Sequence, residues 1–260
     1  MELHPQVAER LARLAPDQRA AATAPPGPVL CVAPAGSGKT TTLVARICWL
    51  VATGADPQRI TAVTFNRRAA EELGQRLTAA LSPLLGDDAA QAPRVRTFHA
   101  LGREILAEAG APVRNLVDRA DVLRRLNGGR PLPPPLLRRL DDGFSRIKLD
   151  LCLDESAVAA AASGPVADVS TPPIDARVGA AYLEYEAWLR THDALDFDDL
   201  VRRALALLRA DRSALSVWRE RCASLLVDEV QDVDRSQLEL AVLLAGDQRN
   251  VFLVGDDDQT

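Results

Sequence analysis

Long hydrophobic runs and paired cysteines are both missing from this sequence. No stretch approaches the ~18 consecutive uncharged apolar residues of a membrane-spanning helix, and the N-terminus lacks the basic-then-apolar order of a secretory signal. The four cysteines are widely separated and form no C-x-x-C pair, and three of them lie in apolar runs typical of buried free thiols. The sequence therefore predicts a cytoplasmic protein without a membrane partner, a disulfide framework or a cysteine-bound metal.

The chain also lacks the positive charge of a protein that simply coats nucleic acid, because its formal net charge is −5. The charge is unevenly distributed. Residues 114–148 hold nine Arg/Lys against four Asp, and residues 226–260 hold nine Asp/Glu against two Arg. These segments suit a protein that holds a polyanion in one place and a divalent cation in another, although two solvated helical faces would give the same pattern.

Short apolar runs alternate with helical periodicity at both ends of the chain. Such alternation indicates right-handed β-α-β crossovers and a parallel sheet. The predicted strands are residues 29–32, 60–65, 95–98, 224–227 and 251–254. The predicted helices are residues 39–51, 67–81, a segment ending at 106, and 234–245. The expected fold class is therefore α/β, with a parallel sheet flanked by helices.

Residues 112–190 interrupt this alternation. Leucine and alanine at helical spacing dominate there, between loops rich in proline and glycine, so we expect an inserted all-helical subdomain. The predicted domain boundaries place the first part of the sheet domain at 1–111, the insertion at 112–190 and the return to the sheet domain at 191–260. Trp188 and Trp218 stand at helical spacing in apolar runs, and we assign both to packing.

A glycine-containing loop lies between the first predicted strand and the first predicted helix. In that position the helix N-terminus and consecutive backbone N–H groups point at an anion, which predicts a phosphate site. Lys39 would reach the β- and γ-phosphates of ATP, and the Thr40 hydroxyl would bind Mg²⁺. The predicted nucleotide-binding loop consists of Ala33, Pro34, Ala35, Gly36, Ser37, Gly38, Lys39 and Thr40. The pattern G-x-x-x-x-G-K-[ST] is broken only at its first position, Ala33.

Two carboxylates follow the apolar strand predicted at residues 224–227. Asp228 is suited to holding Mg²⁺, and Glu229 is suited to positioning and deprotonating an attacking water. The pair could also begin a solvated loop, but a phosphate loop in the same sheet favours the catalytic interpretation. The candidate catalytic residues are therefore Lys39 and Glu229, and the candidate metal ligands are Thr40 and Asp228.

Several further segments resemble, in order, the motifs of the UvrD/Rep/PcrA family of superfamily 1 DNA helicases. Residues 228–232 are similar to motif II, D-E-x-Q-D, and residues 254–260 to the beginning of motif III, G-D-x-D-Q-S. The other matches are residues 15–18 (Q motif), 63–70 (motif Ia), 97–100 (motif Ib), 144–148 (an S-R-x-K element) and 194–200 (a signature where the insertion rejoins the motor domain). The resemblance spans residues 15–260 and implies a RecA-like P-loop domain.

The resemblance also implies roles for single residues. Gln18 would bind adenine, and Gln259 would contact the γ-phosphate and couple the nucleotide state to DNA. The residues implied in DNA binding follow the second and third strands and are Thr64, Phe65, Asn66, Thr97 and His99. Phe65 would stack on a base of a single strand. Packing in the core is the alternative for Phe65, and helix capping or packing in the core is the alternative for His99.

The function implied is the ATP-binding motor domain of an ATP-dependent 3′-to-5′ DNA helicase or translocase, with ATP and Mg²⁺ as cofactors. Its partner would be single-stranded DNA or a single/double-strand junction. In the family, arginine fingers come from a second motor domain, whose motifs would lie beyond Thr260. We therefore expect this chain alone to show trace ATPase activity at most and no unwinding. The alternatives are a motor domain of a recombination helicase-nuclease and a nucleotide-dependent DNA-binding module that does not unwind.

Overall fold

The computed structural model describes residues 3–34, 36–86, 92–111, 113–163 and 174–256. Internal contacts divide the chain into two units. The first unit consists of residues 1–101, 208–233 and 238–260, and the second of residues 102–207 and 234–237.

The first unit is built on a five-stranded parallel sheet. Its strands are β1 (Val29–Val32), β2 (Ile60–Thr64), β3 (Arg94–Thr97), β4 (Ser224–Val227) and β5 (Val251–Gly255). Their order across the sheet is β1-β5-β4-β2-β3, so the last strand of the described chain lies between β1 and β4. Every predicted strand is present with bounds shifted by at most one residue, and the predicted α/β fold is confirmed.

Burial explains how the strands could be recognised. Every residue of β2 and of β4 is buried, so these strands have no exposed face that would require polar alternation. Strand β1 lies at one edge of the sheet and does alternate, because Leu30 and Val32 are exposed while Val29 and Cys31 are half-buried. The apolar sequence of β1 therefore does not reflect full burial.

The helices of the chain, in order, are α1 (Pro5–Ala12), α2 (Pro16–Ala22), α3 (Lys39–Ala52), α4 (Arg67–Leu85), α5 (Phe98–Glu108), α6 (Arg119–Leu126), α7 (Pro134–Ser145), α8 (Glu155–Ser163), α9 (Ala176–Thr191), α10 (Phe197–Ala210), α11 (Arg212–Arg221) and α12 (Arg235–Ala245). The sequence prediction missed α1 and α2, although Pro5 and Pro16 stand in the first turn, where proline favours a helix start. Within the described residues, no helix is long and apolar enough to cross a bilayer.

A continuous hydrophobic core joins the sheet of the first unit to helices α1, α3 and α4. Leu43 and Ile47 of α3 and Leu73 of α4 are fully buried there with Phe252 of β5. Leu43, Ile47 and Leu50 recur at helical spacing along α3, which is why the sequence predicted this helix. Helix α4 continues beyond its predicted end at residue 81 and accommodates Pro83 in its last turn.

The described part of the second unit contains helices and one isolated bridge between Leu116 and Leu195, and no extended strand. Its core centres on Phe144, whose ring centroid lies 5.4 Å from that of Tyr182 and 5.1 Å from that of Tyr185. Trp188 packs against this core, and Trp218 is buried in the first unit, which confirms that both tryptophans serve packing. The loose connector expected at residues 168–173 lies outside the described residues.

A buried lysine organises the second unit. Lys148 is fully buried in a single π-helical turn (Arg146–Asp150) that continues α7. Its Nζ lies 2.8 Å from Glu186 Oε1, 3.0 Å from Asp196 Oδ2 and 3.0 Å from Asp199 Oδ1. Burial alone would lower the pKa of Lys148, but the three carboxylates raise it above its ordinary value, so the residue is charged.

Arg119 extends this buried network from the start of α6. Its guanidinium donates to Asp196 Oδ2 at 2.9 Å and to Asp198 Oδ2 at 2.6 Å. Asp196 in turn caps α10, because its Oδ1 accepts from the Asp199 N–H at 3.0 Å. Two of the nine cations in the basic segment 114–148 are thus held by internal carboxylates, which the charge pattern of the sequence did not reveal.

We expect Lys148→Met to lower the free energy of unfolding by ~3–5 kcal/mol, because it leaves buried carboxylates without their cation. Urea unfolding followed by circular dichroism at 222 nm measures this loss. Arg190→Met is the control, since it removes an exposed cation paired with Glu155 and should cost less than about 1 kcal/mol. Equal losses for the two variants would show that the buried network does not stabilise the unit.

Candidate functional site

The loop between β1 and α3 occupies the carboxyl edge of the sheet in the first unit. Gly38 immediately precedes α3 and has a φ of +88°, in the left-handed region. A Cβ atom at this position would lie 3.0 Å from Gln18 Nε2. Glycine is therefore required here by the backbone conformation and also by the close approach of Gln18. Ala35 lies outside the described residues.

Lys39 begins α3, and its side chain folds back over the loop. Nζ donates to the Ala33 carbonyl at 3.2 Å and to Asp256 Oδ2 at 3.2 Å, and it lies 4.0 Å from Glu229 Oε2. Only 9% of the side chain is exposed. Lys39 and Lys148 are the only lysines in the sequence, and the rest of the 31 Lys/Arg residues are arginines. The structure therefore brings Lys39 and Glu229, the two predicted catalytic residues, close together.

Asp228 and Glu229 directly follow β4, as predicted. The Asp228 N–H donates to the Val63 carbonyl at 2.9 Å, and the Asp228 side chain is buried. Burial and then the charge of Glu229 raise the pKa of the Asp228 carboxyl to about 6, although the Glu229 N–H and the charge of Lys39 act in the opposite direction. Glu229 has a φ of +53°, which is uncommon for a residue other than glycine and marks a constrained turn.

Gln231 connects the loop after β4 to the end of β5. Its Nε2 donates to Glu229 Oε2 at 2.8 Å, and its Oε1 accepts from the Asp256 N–H at 2.9 Å. Gly255 permits this approach, because a Cβ atom there would lie 2.6 Å from Val230 Cγ1 and 3.0 Å from Gln231 Oε1. Sequence reasoning placed Gln231 and Asp256 in family motifs but gave neither a role. The contact that would have identified them is non-local.

Gln18, on α2, lies against the same loop. Its Nε2 donates to the Ser37 carbonyl at 2.6 Å, and its Oε1 accepts from the Ala15 N–H at 3.1 Å. A pocket of about 270 Å³ opens beside it, lined among others by Val32, Ser37 and Lys39. The Ser37 hydroxyl is buried and has no hydrogen-bond partner among the described residues. The predicted adenine residue therefore borders the predicted phosphate loop.

The remaining predicted nucleotide residues are partly placed. Thr40 lies half-buried in the first turn of α3, and Pro34 is exposed between Ala33 and the start of the helix. Gln259 lies outside the described residues.

The predicted DNA-binding residues gather at the ends of β2 and β3. These strands end in register, with Thr64 opposite Thr97. Phe65 follows Thr64 and is 47% exposed, so the alternative of core packing does not describe it. His99 is half-buried on α5. The five predicted residues thus lie at the same edge of the sheet as the phosphate loop.

The polar members of this group make contacts within the chain. The Thr64 hydroxyl is buried and donates to the Asn66 carbonyl at 3.1 Å. Asn66 caps α4, because its Oδ1 accepts from the Ala69 N–H at 2.9 Å. Thr97 Oγ1 accepts from the Ala100 N–H at 3.2 Å. Local hydrogen bonds therefore account for these three side chains in the structure, whereas they do not account for the exposure of Phe65.

Phe197, in the second unit, is an exposed aromatic residue to which the sequence analysis gave no role. The apolar periodicity of α10 places it on the same face as Leu200 and Val201, which are buried, and so predicts burial. Phe197 is nevertheless 51% exposed, because it is the first residue of the helix. Among the described residues, Phe65 and Phe197 are the exposed large aromatic side chains.

The parallel sheet, the glycine-containing loop before α3 and the paired carboxylates after β4 together define a P-loop α/β domain. The family model of the UvrD/REP helicase N-terminal domain matches residues 14–260 of the chain. The chain therefore belongs to the UvrD/Rep helicase family, as the sequence motifs predicted.

Individual relatives agree with this assignment. The chain is 34% identical over 258 residues to the ATP-dependent DNA helicase Rep of Escherichia coli (strain K12), covering 95% of this chain and 36% of that protein. It is 34% identical over 269 residues to the ATP-dependent DNA helicase UvrD1 of Mycobacterium leprae, covering 95% and 33%. It is 33% identical over 267 residues to UvrD2 of Mycobacterium tuberculosis (strain H37Rv), covering 96% and 37%. The chain thus spans about a third of the length of these relatives.

We expect Gly255→Ala to lower the free energy of unfolding by ~1–3 kcal/mol, because the new methyl group overlaps Val230. Thermal and urea unfolding measure the change. Gly74→Ala in α4 is the matched control, since nothing lies within 4 Å of its added Cβ atom. That control should be neutral or stabilising by up to ~1 kcal/mol, as expected for a helix position with open space around the added methyl group. A Gly255→Ala chain as stable as the control would contradict the close packing after β5.

Proposed function

We propose that this chain is the ATP-binding motor domain of an ATP-dependent DNA helicase or translocase that moves along single-stranded DNA. The proposal gives the domain 3′-to-5′ direction, which rests on the family resemblance alone. A single/double-strand junction would be the substrate for unwinding. The observation that carries the proposal is the meeting of Lys39, Glu229 and Asp256 beside the phosphate loop.

The loop is suited to a nucleoside triphosphate for three reasons. The N-terminus of α3 offers free N–H groups to an anion. The Lys39 ammonium supplies a further donor at the same place, and so does the Ser37 hydroxyl, which has no partner among the described residues. Gln18 would read the adenine ring, since it borders the pocket next to the loop.

The residues after β4 and at the start of α3 fit a magnesium ion. Mg²⁺ prefers hard oxygen ligands and is usually held by one or two protein groups together with phosphates and water. Asp228 offers a buried carboxylate whose pKa is raised by burial and by Glu229, a setting that a cation would relieve. Thr40 would supply a hydroxyl. A bound Mg²⁺ would neutralise charge that develops on the phosphates.

Glu229 would position the attacking water and accept its proton. The Glu229 carboxylate is partly exposed, and Gln231 donates a hydrogen bond to its Oε2, which fixes its orientation. Lys39, whose Nζ lies 4.0 Å from Glu229 Oε2, would stabilise charge at the γ-phosphate. These assignments divide the work between β1 and β4, the strands that flank β5.

The carboxyl ends of β2 and β3 would hold the DNA. Phe65 presents a half-exposed ring, and base–aromatic stacking tolerates every sequence. The DNA strand would be bordered by Thr64, Asn66, Thr97 and His99. Contacts would run through backbone groups wherever their side chains already make hydrogen bonds within the chain. Nucleotide and DNA would therefore bind along one edge of the sheet, with β4 between them.

We further propose that residues 1–111 and 191–260 form a RecA-like motor domain and that 112–190 form its helical insertion. The relatives named as ATP-dependent DNA helicases are roughly three times as long as the chain, which supports a role for a second motor domain. That domain would supply the arginine finger that speeds phosphoryl transfer. DNA-stimulated hydrolysis distinguishes this function from that of a module that retains ATP without turnover.

We expect Lys39→Ala to weaken ADP and ATP binding by at least roughly tenfold, because a buried charged donor to phosphate is lost. Titration with a fluorescent nucleotide measures the affinity. Arg76→Ala is the charge-matched control, because it removes an exposed cation of α4 and should leave the affinity unchanged. Nucleotide affinity that survives Lys39→Ala would rule out the proposed loop.

We expect Phe65→Ala to weaken binding of a single-stranded oligonucleotide by ~1–3 kcal/mol, the usual contribution of one base–aromatic stack. Fluorescence anisotropy at low salt measures this, since affinity falls with a log–log slope of about −0.7 for each phosphate neutralised. Val242→Ala, at another exposed apolar position of the first unit, is the control. Equal affinities for both variants would remove Phe65 from the DNA site.

A further inference from the structure

The contact between Lys39 and Asp256 is not explained by the proposed catalytic roles. The Asp256 carboxylate accepts from the Lys39 ammonium at 3.2 Å, and the two side chains are 3% and 9% exposed. An anionic oxygen at hydrogen-bond distance from this lysine resembles a phosphate oxygen in charge and in hydrogen-bonding capacity. Asp256 therefore supplies the Lys39 ammonium with an anionic hydrogen-bond acceptor from within the chain itself.

We propose that Asp256 is the resting partner of Lys39, that a nucleotide phosphate must displace it, and that Gln231 is the positioning residue that holds it in place. This inference rests on the proposed nucleotide site. It deepens that site by naming the interaction against which phosphate competes. A partly dehydrated ion pair is stronger than an exposed one, so the competition affects the nucleotide affinity.

Gln231 supplies the link that makes the contact specific. It accepts from the Asp256 N–H, which fixes the backbone from which the carboxylate extends, and it donates to Glu229. The absence of a Cβ atom at Gly255 allows the two loops to approach this closely. Displacement of Asp256 would therefore strain the hydrogen bond that orients Glu229, so occupancy at Lys39 is transmitted to the catalytic carboxylate.

The small number of lysines allows a direct test on the 260-residue chain. Lys39 and Lys148 are its only side-chain amines, so acetylation with an amine-reactive ester, read by peptide mass spectrometry, reports two sites and the N-terminus. We expect Asp256→Asn to speed acetylation of Lys39 by roughly tenfold, because a charge-assisted hydrogen bond is lost. Lys148 should stay unreactive in both chains, because its three carboxylates are unchanged.

Matched variants separate the proposal from general effects of charge. Asp247→Asn removes a carboxylate from the exposed loop before β5 and should leave Lys39 as protected as in the wild type. Gln231→Met should also expose Lys39, whereas Gln248→Met, at an exposed position, should not. Asp256→Ala provides a second variant without any acceptor. Equal Lys39 acetylation in the wild type, Asp256→Asn and Asp256→Ala would overturn the resting contact.

Calorimetric titration with ADP in EDTA tests the competition without a metal ion. We expect Asp256→Asn to bind ADP roughly threefold to tenfold more tightly, since phosphate no longer displaces a charged partner. Unchanged or weaker ADP binding by Asp256→Asn would overturn the inference. The nucleotide site would stand in that case if Lys39→Ala still weakened ADP binding. If Lys39→Ala binds ADP like the wild type, the nucleotide site itself is wrong, and this inference fails with it.

Discussion

Strand β5 hydrogen-bonds to β1 on one side and to β4 on the other, in parallel. This pairing brings the ends of three distant segments together, since Lys39 and Asp256 are 217 positions apart in the chain. In a parallel sheet all strands end at the same edge, so the loop after β1, the carboxylates after β4 and Asp256 after β5 must converge. Gly255 then determines how close the last two approach.

The two lysines of the chain differ in the number of their carboxylate partners, and this difference suits Lys148 to a structural role and Lys39 to the proposed binding of phosphate. Lys148 is fully buried and lies within 3.0 Å of three carboxylates, which raise its pKa and leave no donor for a ligand. Lys39 Nζ has one carboxylate and one backbone carbonyl at 3.2 Å and a second carboxylate only at 4.0 Å, at the border of a pocket. A phosphate can replace one such partner far more readily than three, because less Coulomb energy is lost.

Much of the sheet and its loops could be predicted from sequence. Apolar runs and the loop around Gly38 are local signals, and the five strands and the positions of Lys39, Asp228 and Glu229 follow from them. The short helices α1 and α2 were missed, although α1 buries Val7 and Leu11 and both helices have a proline in the first turn, where proline favours a helix start. The exposure of Phe197 could not be predicted, because periodicity identifies a helix face but not where the core ends along the helix.

The sequence by itself determined the parallel α/β class, the family and the candidate residues for phosphate and metal binding, because each depends on short motifs whose spacing is local. Only the tertiary structure decided that Lys148 and Arg119 are internal cations, that Phe65 is exposed and that Gln231 joins Glu229 to Asp256. These properties depend on which distant side chain lies opposite, and that depends on strand order and on packing between elements. Neither the strand order nor the packing between elements is encoded in any one segment.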